Sequence, residues 1–336
     1  MSLPVFKLLR PRNIQEAVGH LARHRGDIQI LAGGTDLLPS MRQKLFTPGH
    51  VMDIRGIEEL HGIRVTPGLG VEIGAMTQLS ALEDSEFIRR NYRVLHEAVM
   101  TVASPILRNM GTLGGNICLD TRCVWYNQSL QWRRSCGFCI KKDGDLCHVA
   151  PGGARCWAAF SGDTPPALLC LDAHLEIVGP TGVRRAPISD FYTNIGDAHM
   201  RLDPNEMLTR VYLPELSAGW KGSYLKLRVR GSIDYPMAGV AVALKKKDGA
   251  ASEMGRVAIT AVNPAPLLVK GAEHALTGKQ IDEHVAAVVG ELAAKMARPL
   301  TTSALTPEYR REMVKVFTKR AVLAAAKNSF AANERD

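Results

Sequence analysis

The first clear pattern is helical. Ile14, Ala17, Val18 and Leu21 recur at i, i+3, i+4 and i+7 behind Asn13, which can cap a helix with Glu16 placed for a capping box. Short apolar runs at Ile28–Ala32, Val51–Ile54 and Val71–Ile73 predict strands, and a helix follows from near Thr77. Leu95, Ala98, Val99 and Val102 predict another helix that ends before Pro105. The character then changes. LEIVGPTGVRRAPI (Leu175–Ile188) reads as a hairpin turning at Gly179–Gly182, and MLTRVYLP, SYLKLRVR, MAGVAVALKKKDG and GRVAITAV supply further strands. Two helices close the chain, one carrying Ile281, Val285, Val288, Val289 and Leu292 at helical spacing, the other opening at Thr306–Pro307. No repeat or low-complexity linker interrupts this α+β order. The expected boundary lies near residue 176, with domains at 1–176 and 177–330.

Composition narrows the class. The 336 residues are 46% hydrophobic and 22% charged, ordinary for a globular chain of two or three domains. No apolar run is long enough to span a membrane, and MSLPVFKLLRPRN lacks the apolar core of a secretory signal. The expected compartment is the cytoplasm, where structural disulfides are disfavoured. A net charge of +9 admits nucleic acid, an acidic protein or an anionic cofactor as partner. The charge is scattered, in clusters at Arg133–Arg134, Lys141–Lys142 and Lys245–Lys247, and no nucleic-acid-binding motif accompanies it. No catalytic dyad or triad is present either: there is no G-x-S-x-G, no HExxH and no paired carboxylates in a motif.

Two glycine loops carry the first chemistry. LAGGTDLL (Leu31–Leu38) directly follows a predicted strand, and paired glycines let successive amides approach a phosphate. Thr35 and Asp36 add a hydroxyl and a polar acceptor. GTLGGNI (Gly111–Ile117) offers the same chemistry through Thr112, Gly114, Gly115 and Asn116. Neither loop fits the Walker pattern or the dinucleotide-binding GxGxxG. Two such loops suit an extended ligand with a diphosphate, gripped from both sides; either alone also suits a tight turn.

LAGGTDLLP and RNMGTLGGNI resemble the two flavin-binding loops of the FAD subunit in the molybdenum hydroxylase family, which includes xanthine dehydrogenase and carbon monoxide dehydrogenase. GDTPPALLCLDA (Gly162–Ala173) resembles that family's next segment, and SYLKLRVRGSIDYPMAGVAVAL (Ser223–Leu244) the start of its C-terminal domain. The likeness runs from about Pro4 to Arg320. It implies an FAD-binding domain of two α+β subdomains, then a smaller domain of antiparallel strands and helices. It further implies that residues 31–38 (Leu31, Ala32, Gly33, Gly34, Thr35, Asp36, Leu37 and Leu38) and the second loop hold FAD, with Asp163 on its adenosine side and Lys226 near its flavin ring. Apart from the family, Lys226 would read as a surface lysine on a strand.

Six of seven cysteines fall within the 39 residues Cys118–Cys156. In a reducing compartment such a concentration suggests zinc or an iron–sulfur cluster. Cys136-Gly-Phe-Cys139 is a CxxC, but no second CxxC completes a zinc ribbon and neither common ferredoxin run fits. Most family members join the GGNI and PPALL-like segments by a short connection; here 47 residues separate Asn116 from Asp163. This insertion, about 119–160, resembles the 4-hydroxybenzoyl-CoA reductase branch, whose FAD-bearing β subunit also holds a 4Fe–4S cluster. The matching residues are DTRC, WYNQS, the cysteine before IKKDGDLCH and the cysteine of ARCWA. The resemblance implies ligation by Cys123, Cys139, Cys147 and Cys156 and leaves Cys136 out; His148, beside Cys147, is an alternative ligand that the four-cysteine match makes a hydrogen-bonding neighbour instead. Cys118 and Cys170 are expected to be buried free thiols. The cations Arg122, Arg133, Arg134, Lys141, Lys142 and Arg155 could tune a cluster, form a solvated face, or dock an acidic ferredoxin.

The branch implies an electron-transfer subunit of an oxidoreductase. Its partners would be a molybdopterin-containing large subunit and a small subunit with 2Fe–2S clusters, in a dimer of heterotrimers, with ferredoxin as donor. Dehydroxylation of 4-hydroxybenzoyl-CoA would occur on the large subunit. The same relay could serve a different aromatic, heterocyclic or steroid substrate. A non-redox protein with structural zinc is a further alternative.

Overall fold

The computed structural model describes residues 2–216, 220–246 and 251–327. The end of the predicted strand MAGVAVALKKKDG, from Lys247 on, and residues 328–330 of the expected second domain lie outside them.

Three sheets organise the chain. The first is parallel, with β1 (Lys7–Leu9), β2 (Ile28–Leu31) and β3 (His50–Asp53) in the order β1-β3-β2. The helix Ile14–Arg23 covers it, burying Ile14, Ala17, Val18 and Leu21 as their spacing predicts. Asn13 Oδ1 accepts from Glu16 N at 2.8 Å, while the Glu16 carboxylate reaches back one residue beyond the cap, to Arg12 N.

The second sheet contains β4 (Ile63–Thr66), β5 (Gly70–Gly74), β6 (His174–Gly179), β7 (Gly182–Pro187) and β8 (Met207–Leu213), in the order β4-β5-β8-β6-β7. The predicted hairpin is β6–β7. Its membership moves the domain boundary from the expected position near 176. Val71 to Gly74 pair with Leu213 to Arg210, so the strands after residue 176 complete the sheet that residues 63–74 begin. The break between sheets falls between Leu213 and Trp220; the shift in composition near 176 marks a change of local pattern, and backbone pairing crosses it.

The third sheet is antiparallel: β9 (Trp220–Leu227), β10 (Ala238–Lys246), β11 (Ser252–Thr260) and β12 (Leu267–Leu268), ordered β12-β11-β10-β9. Residues 238–244 of β10 are all buried because both faces are covered. Val240, Val242 and Leu244 pack with the helices Glu283–Met296 and Pro307–Lys327, while Ala241, Ala243 and Ala258 face the central core. That alanine face meets the helix Thr164–Cys170, where the Cys170 thiol lies 3.4 Å from Ala241 O. Small side chains on one face thus bring a helix from the first half of the chain against the third sheet. Asp163, at the head of this helix, is carried to β9.

The cysteine insertion has its own small core. Cys123, Cys139 and Cys156 pack with Tyr126, Ala158 and Leu45, and Arg133 reaches Lys44 O at 2.9 Å. The insertion is therefore anchored on the first subdomain, just after the helix Leu37–Arg42.

Candidate functional site

The two glycine loops lie against each other. A Cβ on Gly33 would stand 1.8 Å from Met110 O and 3.1 Å from Gly111 Cα, so only glycine allows this approach. Gly34 adopts φ +75°, which turns the chain from β2 into the next helix. Among the described residues, no hydrogen bond within the chain occupies the amides of Gly33, Gly34, Thr35 or Asp36. Four successive donors of this kind form a nest suited to a phosphate.

The second loop differs from the expectation of equal chemistry. It forms the short helix Leu113–Ile117, and Thr112 Oγ1 accepts from Gly115 N at 3.1 Å as its cap. Gly114 N donates to Ala75 O, Leu113 N to Thr77 O and Asn116 N to Thr112 O. Asn116 Oδ1 accepts from Thr164 N at 3.0 Å and from Thr164 Oγ1 at 2.7 Å. This loop is a wall that positions Asp163; the first loop carries the free amides.

Asp36 and Asp163 are both acceptors in polar networks. Asp36 Oδ1 accepts from Arg122 Nη1 at 2.9 Å and from Tyr235 OH at 3.1 Å, and the Arg122 guanidinium stacks 4.1 Å from the Tyr235 ring centre. Burial pushes the Asp36 carboxyl up, with Arg122 pulling against it. Asp163 accepts from Tyr224 OH at 2.7 Å and from Lys226 Nζ at 2.9 Å, and Lys226 also donates to Thr101 O at 2.9 Å. The side chains of Lys226 and Asp163 are only 2% and 4% exposed. Burial raises the Asp163 carboxyl, opposed chiefly by Lys226. Asp163 and Lys226 therefore occupy one place. A buried ammonium stays beside the carboxylate that offsets its desolvation.

Tyr224, Tyr235 and Thr101 were missing from the sequence reading, which placed Arg122 only among the cations of the insertion and not at Asp36. Tyr224 had a signal, lying two residues before Lys226 and so on the same strand face. Tyr235 and Arg122 reach Asp36 from distant loops, which no local spacing reveals.

The four predicted cysteines converge. Cys123, Cys139, Cys147 and Cys156 line one small cavity, together with Trp125, Tyr126, Ile140, Lys141, His148 and Trp157. All four are buried. Cys136 is half-buried and absent from the lining. His148 stacks on Trp125 with ring centres 4.4 Å apart and its Nε2 bonds Phe138 O, the disposition of a neighbour. Burial pushes the Cys123 thiol up to about 12 and that of Cys156 to about 11. Without a metal these thiols stay protonated, so loading would release protons. Ala158 N lies 3.4 Å from Cys156 Sγ, a donor for a ligating sulfur. Among the described residues no group of three or more His, Cys, Asp or Glu side chains is arranged to hold a metal ion, although the four cysteines share the lining of one cavity. Cys170 is buried and Cys118 half-buried, and burial pushes both thiols up to about 12.

Fold and site together define a flavoprotein subunit of an oxidoreductase. Residues 4–216 match the FAD binding domain in molybdopterin dehydrogenase, and residues 223–325 match the CO dehydrogenase flavoprotein C-terminal domain. The chain belongs to this family of FAD-binding subunits of molybdenum hydroxylases. It is 32% identical over 326 residues to the carbon monoxide dehydrogenase medium chain of Afipia carboxidovorans, covering 96% of this chain and 98% of that one. The structure of the cyanide-inactivated form of the Cu,Mo-CO dehydrogenase superposes with a TM-score of 0.81 at 30% identity, covering 97% of this chain and 99% of the other. Quinoline 2-oxidoreductase from Pseudomonas putida 86 superposes with a TM-score of 0.76 at 26% identity, covering 97% and 98%. No helix among the described residues is long and apolar enough to cross a membrane.

Proposed function

We propose that this chain is the flavin and iron–sulfur subunit of a molybdenum-dependent complex of the 4-hydroxybenzoyl-CoA reductase kind, exchanging electrons between ferredoxin and the 2Fe–2S clusters of a small partner subunit. The molybdopterin-containing large subunit performs the dehydroxylation, and the complex is a dimer of heterotrimers. The free amides of Gly33, Gly34, Thr35 and Asp36 fit the diphosphate of FAD, and Leu31, Ala32, Leu37 and Leu38 flank them. Thr112, Gly114, Gly115 and Asn116 back that cradle, and the Asp163–Lys226 pair supplies a polar anchor beside it. Cys123, Cys139, Cys147 and Cys156 are the ligands of a 4Fe–4S cluster. When bound, FAD and the cluster supply one- and two-electron exchange.

The observation that carries this reading is the convergence of four cysteines on one cavity, within an insertion whose Arg122 bonds the flavin loop at Asp36. Anaerobic purification with its partners, followed by measurement of flavin, iron, sulfide and molybdenum, tests the assignment. A colourless chain without iron and sulfide would refute it.

A second reading keeps both cofactors and changes the substrate. Relatives named for carbon monoxide and quinoline chemistry favour it, since the pocket that selects the substrate belongs to the large subunit. Turnover of the purified complex with 4-hydroxybenzoyl-CoA, set against aromatic heterocycles, separates the two.

A further inference from the structure

The six cations of the cysteine insertion are not equivalent. Arg122 is held by Asp36, Arg133 is directed to Lys44 O and Asp143, Lys142 meets Asp143, and Arg155 stacks on Trp157. Arg134 is exposed. Lys141 alone is a cation that lines the cavity with the four cysteines, and its side chain is 6% exposed. A lysine is almost never buried unless paired.

Its ammonium donates to Asp120 Oδ1 at 2.7 Å, Thr121 Oγ1 at 2.6 Å and Gly196 O at 2.9 Å, which uses all three N–H groups. The ring of Tyr126 lies 4.7 Å away. Asp120 offsets one charge and does not line the cavity, whereas the Lys141 side chain does. Cys156 is the sulfur most directly affected. Gly196 N donates to Cys156 O at 3.0 Å, and a Cβ on Gly196 would stand 2.8 Å from Cys156 Sγ. Lys141 thus grips the peptide that covers this sulfur. A neutral donor could hold Gly196 equally well; the charge adds a fixed field in a site of low dielectric.

We propose that Lys141 is a positioning residue that raises the reduction potential of the cluster held by Cys123, Cys139, Cys147 and Cys156. The proposal rests on the 4Fe–4S reading above. One-electron reduction adds one negative charge to the cluster, and a nearby buried ammonium stabilises that form relative to the oxidised one.

The test is a potentiometric titration of the anaerobically purified complex, with dithionite as reductant and electron paramagnetic resonance as readout. In Lys141→Met, the reduced-to-oxidised ratio at a fixed potential should fall about tenfold, equivalent to a shift of about 59 mV for one electron. Asp120→Asn should move the ratio the opposite way by unmasking the ammonium, and Lys141→Arg should retain the wild-type potential. If Lys141→Met fails to assemble, the opposite sign in Asp120→Asn and the retention in Lys141→Arg still decide the matter. A loaded cluster whose potential is unmoved in Asp120→Asn, or shifted in the same direction as in Lys141→Met, overturns the role of Lys141 and leaves the cluster reading intact. Wild-type complex without iron and sulfide overturns both.

Discussion

Lys226→Met is the most informative single change. Lys226 Nζ lies 2.9 Å from Asp163 Oδ2 and 2.9 Å from Thr101 O, with almost no solvent access. Methionine fills similar volume but leaves Asp163 with Tyr224 OH as its hydrogen-bond partner. Breaking a buried pair from one side costs about 3–5 kcal/mol, because the remaining charge stays desolvated. Burial already raises the Asp163 carboxyl, so the orphaned group can neutralise itself by taking up a proton; the lower end of that range is expected near neutral pH. For a chain of this size, about 3 kcal/mol lowers the midpoint of thermal unfolding by about 4 °C. The pairing makes a sharper claim. Asp163→Asn combined with Lys226→Met leaves no buried charge and should recover most of the lost stability, while flavin content stays low because the polar anchor is gone. Thermal unfolding followed by circular dichroism, with flavin absorbance measured on the same samples, reads both effects. A single variant within about 0.5 kcal/mol of wild type, or a double variant no more stable than the single, would refute the argument.

Three further outcomes follow from the geometry. Cys123→Ser should abolish iron and sulfide in the purified complex, whereas Cys136→Ser, outside the cavity, should leave both at wild-type levels by elemental analysis. Gly33→Ala would place its Cβ 1.8 Å from Met110 O, so the loops must part; flavin content should fall at least tenfold while Gly19→Ala, with open space around it, leaves flavin content unchanged. His199 is buried against Leu119 O, and burial lowers its pKa from 6.5 to about 4. Its depressed pKa means that stability present above pH 6.5 is lost as pH falls towards 4, by about 3 kcal/mol, and His199→Gln should flatten unfolding free energy across that window.

The fold was readable wherever one local period decides the outcome. Ile14, Ala17, Val18 and Leu21 can share a buried face only as a helix, and the Gly179–Gly182 turn forces Leu175 and Ala186 into register. The domain boundary was not readable in that way. Pairing Val71 with Leu213 depends on a sheet that closes over a long stretch of intervening chain, and the composition shift near 176 carries no information about that pairing. The same distinction runs through the site. The glycines of the first loop announce a close approach, but nothing in them says that Met110 O is what approaches.

The cysteines separate two kinds of inference. Local spacing pointed to Cys136-Gly-Phe-Cys139, because a short reach between two thiols is what a sequence displays most plainly. Gly137 and Phe138, at φ +77° and +60°, turn the chain between the pair, and only Cys139 lines the cavity. The four that converge do so because the insertion folds on its own small core around Tyr126 and Leu45, and Leu45 comes from outside the insertion altogether. The convergence of the cysteines is thus a property of the packed insertion together with the subdomain it rests on. Arg122 extends that dependence: the residue before Cys123 bonds Asp36 in the loop with the free amides. A change at Asp36 would therefore be felt on both sides, at the phosphate-binding loop and at the first cysteine, and the two halves of the site should lose order together.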